Sequence, residues 1–229
     1  MASDQPIQKQ LEEVKENLLK MAGFVEEGLR NAIGSLTMRD SKLAQQVVAG
    51  DDEIDRMDIL IDDMVLKLIT SKQAKGTDLR FLTTAMKIVT DLERMGDHAV
   101  NIAYRAISLN EEPQLKAYVD LPRMAEVAQS MVMDIIRAFV DRDSRLARSV
   151  HDRDDLVDAL NDQIFRELIT YTIADPSTIP RAMQLMIVSR CLERIADHAT
   201  NIAENIIFIE TGEVIRHQVK GKSQEPKSI

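Results

Sequence analysis

The sequence has few aromatic residues, few glycines and few prolines. Phe, Trp and Tyr make up 3% of the 229 residues, and the chain contains 8 Gly and 6 Pro. A core with so few aromatic side chains must be built from aliphatic residues and Met, which suits helix packing better than a β-sandwich. Few chain breakers also favour long helices joined by short turns. The composition therefore predicts an all-α protein.

Cysteine is almost absent, and positive charge is not concentrated anywhere. The single cysteine, Cys191, lies in an apolar helical stretch, so we expect a buried, unreactive thiol and no internal disulfide. A formal net charge of −9 without a Lys/Arg block argues against nucleic-acid binding. No apolar run approaches the ~18 residues that a membrane span needs, and no secretory signal is visible. We therefore expect a cytoplasmic protein that reaches membranes only through partners.

Apolar residues at alternating spacings of three and four divide the chain into six predicted helices. The helices are expected from about Pro6 to Met38, Ser41 to Lys72, after Asp78 to Asn110, from near Pro122, from Ser144 to Ile173, and from after Thr178 to near Gly212. The segment 110–122, which contains two prolines, is the best candidate for a linker.

The second half of the chain repeats the first. The segment 92–103 matches 192–203 at nine of twelve positions, and upstream segments of the two halves match at an offset of 103 residues. The slip between the two offsets falls in a turn, which can absorb it. We therefore predict two tandem three-helix bundles over 1–112 and 113–219, followed by a frayed polar tail at 220–229.

Carboxylate pairs four residues apart recur at matched positions of the two halves. The pairs are Asp51/Asp55, Glu93/Asp97, Asp154/Asp158 and Glu193/Asp197. In an antiparallel hairpin, residues equidistant from the turn lie at the same level, so we expect Asp51 beside Asp97 and Asp55 beside Glu93. The same arithmetic holds in the second half, where the turn lies near Asp175. Each half is thus predicted to bring four carboxylates together at the margin of its core.

These clusters allow two interpretations. Repulsion among carboxylates at a core margin is relieved by a hard cation, and carboxylate oxygens suit Mg²⁺, Mn²⁺, Ca²⁺ or iron. Further candidate ligands follow the pairs in sequence: Asn101, Asn201, His98 and His198. Alternatively, Arg94 and Arg194 neutralise a solvated acidic face, and the histidines are structural. The spacing alone leaves both interpretations open.

An enzymatic function is not favoured by the motifs. Carboxylate-bridged metal oxidases in helix bundles place Glu and His three residues apart, whereas Glu93 and His98 are five apart. The sequence also shows no catalytic triad pattern and no glycine-rich phosphate loop. We therefore predict a non-enzymatic regulator. A helical adaptor without a functional metal is the alternative, and a metal enzyme is a more remote one.

Two segments resemble the paired motifs of the PhoU family. They are DLERMGDHAVNIA at 91–103 and CLERIADHATNIA at 191–203, and ETGEVIRH at 210–217 is similar to the C-terminal end of that family. The resemblance implies two tandem three-helix bundles, often as a homodimer. It also implies a negative regulator of the phosphate regulon, acting between the Pst phosphate ABC transporter, through its ATPase PstB, and the sensor kinase PhoR.

The resemblance also implies metal ions at Glu/Asp-x-x-x-Asp motifs. Carried over onto this chain, the motif residues are Asp51, Asp55, Glu93, Asp97, Asp154, Asp158, Glu193 and Asp197. The resemblance leaves open which divalent or iron ion is bound, among Mg, Mn, Fe and Zn.

Overall fold

The computed structural model describes residues 7–71 and 74–211, and six long helices account for most of them. The helices are α1 (Ile7–Thr37), α2 (Ser41–Thr70), α3 (Thr77–Asn110), α4 (Asp120–Asp141), α5 (Ser144–Ala174) and α6 (Ile179–Thr211), with a 3-10 turn at Pro176–Thr178. No strand occurs in these described ranges. The all-α prediction is confirmed.

The helix boundaries lie close to those expected from apolar spacing. The fourth helix begins at Asp120, two residues earlier than predicted, because Pro122 is tolerated within a first helical turn. The expected stop at Gly212, the tail at 220–229 and the ends predicted at Pro6 and Lys72 lie outside the described residues. None of the described helices is both long and apolar enough to cross a membrane.

The same turn joins the first two helices of each half. Arg39 and Arg142 both end a helix in the left-handed conformation at φ 55°. Asp40 and Asp143 follow, and each accepts two backbone N–H groups from the start of the next helix at 2.9–3.1 Å. Since these N–H groups have no partner within the helix, the aspartates satisfy them as N-caps.

The helices pack as two bundles. In the first, α1, α2 and α3 all contact one another; in the second, α4, α5 and α6 do the same. The bundles meet through α1 with α4 and through α3 with α6, which are pairs of equivalent helices. Within the described ranges, α2 and α5 contact helices of their own bundle only. The arrangement is that of a two-fold dimer formed within one chain.

The helices α3 and α6 run antiparallel where the bundles meet. Lys87 near the start of α3 donates to Asn205 near the end of α6 at 3.4 Å, and Arg105 near the end of α3 donates to Gln184 near the start of α6 at 3.0 Å. These two hydrogen bonds near opposite ends of the helix pair show that α3 and α6 run antiparallel. Two tandem three-helix units are confirmed, whereas the exact boundary between 112 and 113 stays a prediction within the helix-free segment 111–119.

The N-caps give a test of the repeated turn. We expect Asp40→Ala and Asp143→Ala each to lower the free energy of unfolding by about 1 kcal/mol, because each leaves helix N–H groups without an acceptor. Urea unfolding monitored by circular dichroism measures the loss. Asp40→Asn and Asp143→Asn serve as controls, since asparagine retains the acceptor. Alanine variants as stable as the asparagine variants would contradict the assignment.

Candidate functional site

The first carboxylate cluster lies where α2 packs against α3. Burial raises the pKa of Asp51, and the neighbouring carboxylates of Asp55 and Asp97 raise it further. Burial also raises the pKa of Glu93, with Asp97 and Asp55 again among the contributors. The two helices thus bring the carboxylates close enough to interact, Asp51 with Asp97 and Asp55 with Glu93.

A glycine allows the two helices to approach closely at this point. A Cβ atom built on Gly96 would lie 2.9 Å from the Cδ1 atom of Ile54 and 3.5 Å from the Oδ1 atom of Asp51. The absent side chain therefore lets α2 lie against α3 and keeps the Asp51 carboxylate beside the α3 backbone. In the second bundle the residue matching Gly96 is Ala196 and the residue matching Ile54 is Val157. Compared with the first bundle, α6 therefore has one more methyl group at this contact and α5 has one fewer.

Sequence reasoning missed one member of this cluster, Asp58. Burial raises its pKa, and the carboxylates of Asp62 and Asp55 raise it further. Asp58 lies three residues after Asp55 and therefore on the same face of α2. Matching the two halves did not identify Asp58, because the residue at the equivalent position is Asn161, which is not acidic. The amide oxygen of Asn161 accepts from the Ser189 hydroxyl at 2.6 Å.

The second cluster lies where α5 packs against α6, and it is more fully neutralised. Burial raises the pKa of Glu193, the nearby Arg190 lowers it, and Asp197 raises it again. Arg190 contacts Glu193 at 2.8 Å, and Arg194 contacts Asp197 at 3.0 Å. The matching first-bundle position to Arg190 is Thr90.

In the described part of the chain, the arginine that pairs with the first cluster is Arg94. Arg94 contacts Asp97 at 2.9 Å and Glu93 at 3.3 Å, with more than half of its own side chain exposed. Ion pairs this exposed contribute little to stability. Among the described residues, the first cluster of five carboxylates, Asp58 included, thus has ion pairs with Arg94, whereas the second cluster has ion pairs with both Arg190 and Arg194. The duplication predicts two similar clusters, but the first is the more acidic.

The donor chemistry of both clusters suits a hard cation, because all the converging groups are carboxylates. The arrangement of the side chains is nevertheless that of an ion-paired surface. Arg94 and Arg194 contact the carboxylates of Asp97 and Asp197. Within residues 7–71 and 74–211, no group of three or more His, Cys, Asp or Glu side chains is placed to hold a metal ion. The eight metal ligands therefore stay a prediction.

The two histidines lie opposite each other at the junction of the bundles. The His98 and His198 rings are 5.8 Å apart, one on α3 and the other on α6. The Nδ1 atom of His198 lies 2.9 Å from the Oδ1 atom of Asp91. The Nδ1 atom of His98 is buried without a hydrogen-bond partner in the described part of the chain, and burial lowers the pKa of this ring. The two histidines differ because His198 has the carboxylate of Asp91 beside it, whereas the residue that matches Asp91 in the second bundle is Cys191, which offers His98 no carboxylate.

The other residues proposed beside the pairs have structural contacts. The amide of Asn101 donates to the backbone oxygen of Asp97 at 3.0 Å, one turn back along α3. The backbone oxygen of Asn201 accepts from Asn205 at 2.8 Å.

Cys191 is buried, and burial raises the pKa of its thiol to about 11, in agreement with an unreactive side chain.

Known proteins show the same doubled architecture. The family described as the PhoU domain matches this chain twice, at residues 18–106 and 121–206, and each match covers most of one three-helix bundle. The chain belongs to the PhoU family. The two matches include both motif segments and both carboxylate clusters.

Two PhoU relatives are similar over nearly the whole chain. A protein of Aquifex aeolicus named phosphate-specific transport system accessory protein PhoU homolog is 46% identical over 217 residues, which is 94% of this chain and 98% of that protein. A protein of the same name from Pseudomonas aeruginosa is 40% identical over 93% of this chain and 88% of its own length.

Solved PhoU structures share the fold. The crystal structure of PhoU from Pseudomonas aeruginosa superimposes with a TM-score of 0.87 at 39% identity, over 91% of this chain and all of that one. The phosphate transport system regulatory protein PhoU from Streptococcus pneumoniae superimposes with a TM-score of 0.84 at 27% identity, over 92% of this chain and 99% of that one.

The raised pKa of Glu93 predicts a pH-dependent effect of its removal. In the presence of a chelator, we expect Glu93→Gln to stabilise the protein at neutral pH, because folding disfavours the ionised carboxylate. The advantage should shrink as the pH falls through the raised folded pKa toward the ordinary value of 4.5, since the wild-type folded state then gains the proton before the unfolded state does. Urea unfolding across this pH range measures the difference.

Glu16→Gln is the matched control for this experiment, because Glu16 is exposed on α1 outside both clusters. Its effect should vary less with pH than that of Glu93→Gln. If Glu93→Gln were destabilising throughout the range, the surroundings of Glu93 would favour its ionised carboxylate, and the raised pKa would be wrong.

Proposed function

We propose that this protein is a non-enzymatic accessory regulator of a phosphate-uptake system. The observation that carries the proposal is the match of both bundles to the PhoU family, together with relatives that are named for phosphate-specific transport. These relatives are named accessory or regulatory proteins, which supports a role exerted by contact with other proteins. No catalytic step is part of the proposal.

More specifically, we propose that the protein is a negative regulator of the phosphate regulon. The protein would act in the cytoplasm as a homodimer, couple the Pst transporter through PstB to the sensor kinase PhoR, and hold the kinase inhibitory when phosphate is plentiful. Exposed apolar residues at four-residue spacing support docking to helical partners. They are Ile169 and Ile173 on α5 and Ile179, Met183 and Ile187 on α6.

The metal sites are the second part of the proposal. We propose that divalent or iron cations bind the two clusters, with Asp51, Asp55, Glu93 and Asp97 in one and Asp154, Asp158, Glu193 and Asp197 in the other. The raised pKa values of Asp51, Glu93 and Glu193 support it, because a cation would relieve the repulsion that helps to raise them. The more acidic first cluster is expected to bind more tightly.

Deletion of the gene tests the regulatory role. We expect phosphate-responsive genes to be expressed even in phosphate-rich medium, because the kinase is then released from inhibition. Transcript levels with and without a complementing wild-type copy measure this. If the genes remain silent in rich phosphate, the regulator interpretation is wrong and a helical adaptor in another process is favoured.

Substitution of Asp97 and Asp197 tests the metal sites. We expect Asp97→Asn/Asp197→Asn to lose bound metal, because each cluster loses an anionic ligand, and Asp97→Asn alone to lose more than Asp197→Asn alone. Elemental analysis of the purified variants measures the content. Glu16→Gln/Glu126→Gln is the control, since it removes one exposed carboxylate from each bundle outside the clusters.

The two outcomes of this substitution separate the site from its role. Unchanged metal content in the double variant would contradict the ligand assignment. Loss of metal with intact repression of phosphate-responsive genes would contradict a regulatory role for the metal and leave the rest of the proposal standing.

A further inference from the structure

The first bundle contains an open groove that the metal proposal does not explain. Its cavity of about 280 Å³ lies among α1, α2 and α3, beside the first cluster. Three glycines line it, and a Cβ atom on Gly50 would meet nothing within 4 Å. The apolar part of the wall includes Val47, Ile54 and Ala99. The groove is therefore an opening where three helices would otherwise pack side chain against side chain.

In the second bundle the matching space is filled by an arginine. At the offset of 103 residues, Gly50 corresponds to Arg153. The Nη1 atom of Arg153 donates to the hydroxyl of Ser130 at 2.8 Å, and its Nη2 atom donates to the carboxylate of Asp134 at 2.7 Å. The Arg153 side chain is 25% exposed and joins α5 to α4. One bundle thus shows how a guanidinium group fits between these two helices.

The first bundle keeps polar groups at the positions that hold this guanidinium. Glu27 matches Ser130, and Asn31 matches Asp134; both line the groove from α1. Asp51 adds a carboxylate from α2. A guanidinium group needs acceptors of this kind on two sides, and carboxylate and amide oxygens supply them.

The groove also offers an aromatic face. Phe24 lies in its wall, and the ammonium of Lys20 already sits 5.6 Å from the centre of the Phe24 ring. Aromatic faces attract cations, and the planar guanidinium stacks on them more readily than an ammonium does. Apolar walls, an aromatic ring and acceptors together suit an arginine side chain better than a hydrated metal ion.

We propose that the groove binds an arginine side chain presented by a partner protein, in the position that Arg153 occupies in the second bundle. The charge of the groove supports a cationic occupant, since Glu27 and Asp51 line it and none of the described residues in its wall is Lys or Arg. The proposal does not depend on the phosphate-related function. It shares Asp51 with the first metal cluster, so its test is carried out with a chelator present.

The test is a titration with N-acetyl-arginine amide, followed by methyl resonances of Val47, Ile54 and Ala99 in NMR spectra of the full chain. We expect saturable shifts with a dissociation constant in the millimolar range, as befits a ligand this small. N-acetyl-citrulline amide, which lacks the charge, should give no saturable shift. N-acetyl-lysine amide should bind about tenfold more weakly, because it lacks the planar fork.

Two variants locate the binding. Gly50→Arg should abolish the shifts, because it supplies the arginine that the second bundle already has. Gln45→Arg is the matched control: it adds the same charge at an exposed position of α2 that is arginine in the second bundle, Arg148, and should bind as the wild type does. Should Gly50→Arg fail to fold, Asn31→Leu removes an acceptor instead and should weaken binding about tenfold.

The proposal is overturned by any of three results. The first is the absence of saturable shifts with the arginine probe. The second is equal binding of the lysine or citrulline probe. The third is wild-type binding by the folded Gly50→Arg variant, or by Asn31→Leu where that variant replaces it. None of these results bears on gene regulation in the deletion strain, so failure here is distinct from failure of the proposed function.

Discussion

The contact between α3 and α6 sets the positions of the candidate sites. These equivalent helices run antiparallel and meet at His98 and His198, so the pseudo-two-fold relation places the contact of the two bundles between these rings. Across residues 7–71 and 74–211, the outer helices α2 and α5 pack only within their own bundles. We call the contact of α2 with α3, and that of α5 with α6, the seams of the two bundles. The carboxylates at these seams, which include Asp97 and Asp197, consequently lie on either side of the histidine contact.

Although the backbone is duplicated, the two seams differ chemically, and three of the differences share one direction. The first bundle carries Gly50, Asp58 and Thr90 where the second carries Arg153, Asn161 and Arg190. Each exchange makes the first seam more acidic or more open, and the second more neutral or more filled. Like charges and an unfilled groove both oppose stability. Their concentration in one bundle points to tighter ligand binding there than in the second bundle.

Much of this arrangement could be predicted from the sequence, and the physical reason is the regularity of helices. A hairpin of two straight helices places residues at heights set by counting from the turn, which is why the pairing of Asp51 with Asp97 could be expected. Counting cannot show contacts between bundles, because the sequence does not state which faces meet. His98 follows Asp97 directly, yet a helix turns about 100° per residue, and the ring points toward α6. Asp58 and Arg153 were missed because the two halves differ at those positions.

The two proposed ligands of the first bundle are not independent. A metal ion in the cluster and a guanidinium group in the groove are both cations, and both approach Asp51, whose Oδ1 atom lies against the α3 backbone at Gly96. Repulsion between them, and competition for one carboxylate, make each weaken the affinity for the other by the same factor. Arginine titrations with and without chelator separate the two cases, since competition predicts weaker arginine binding when the metal is present. A partner that inserts an arginine would then sense whether the first cluster holds its ion.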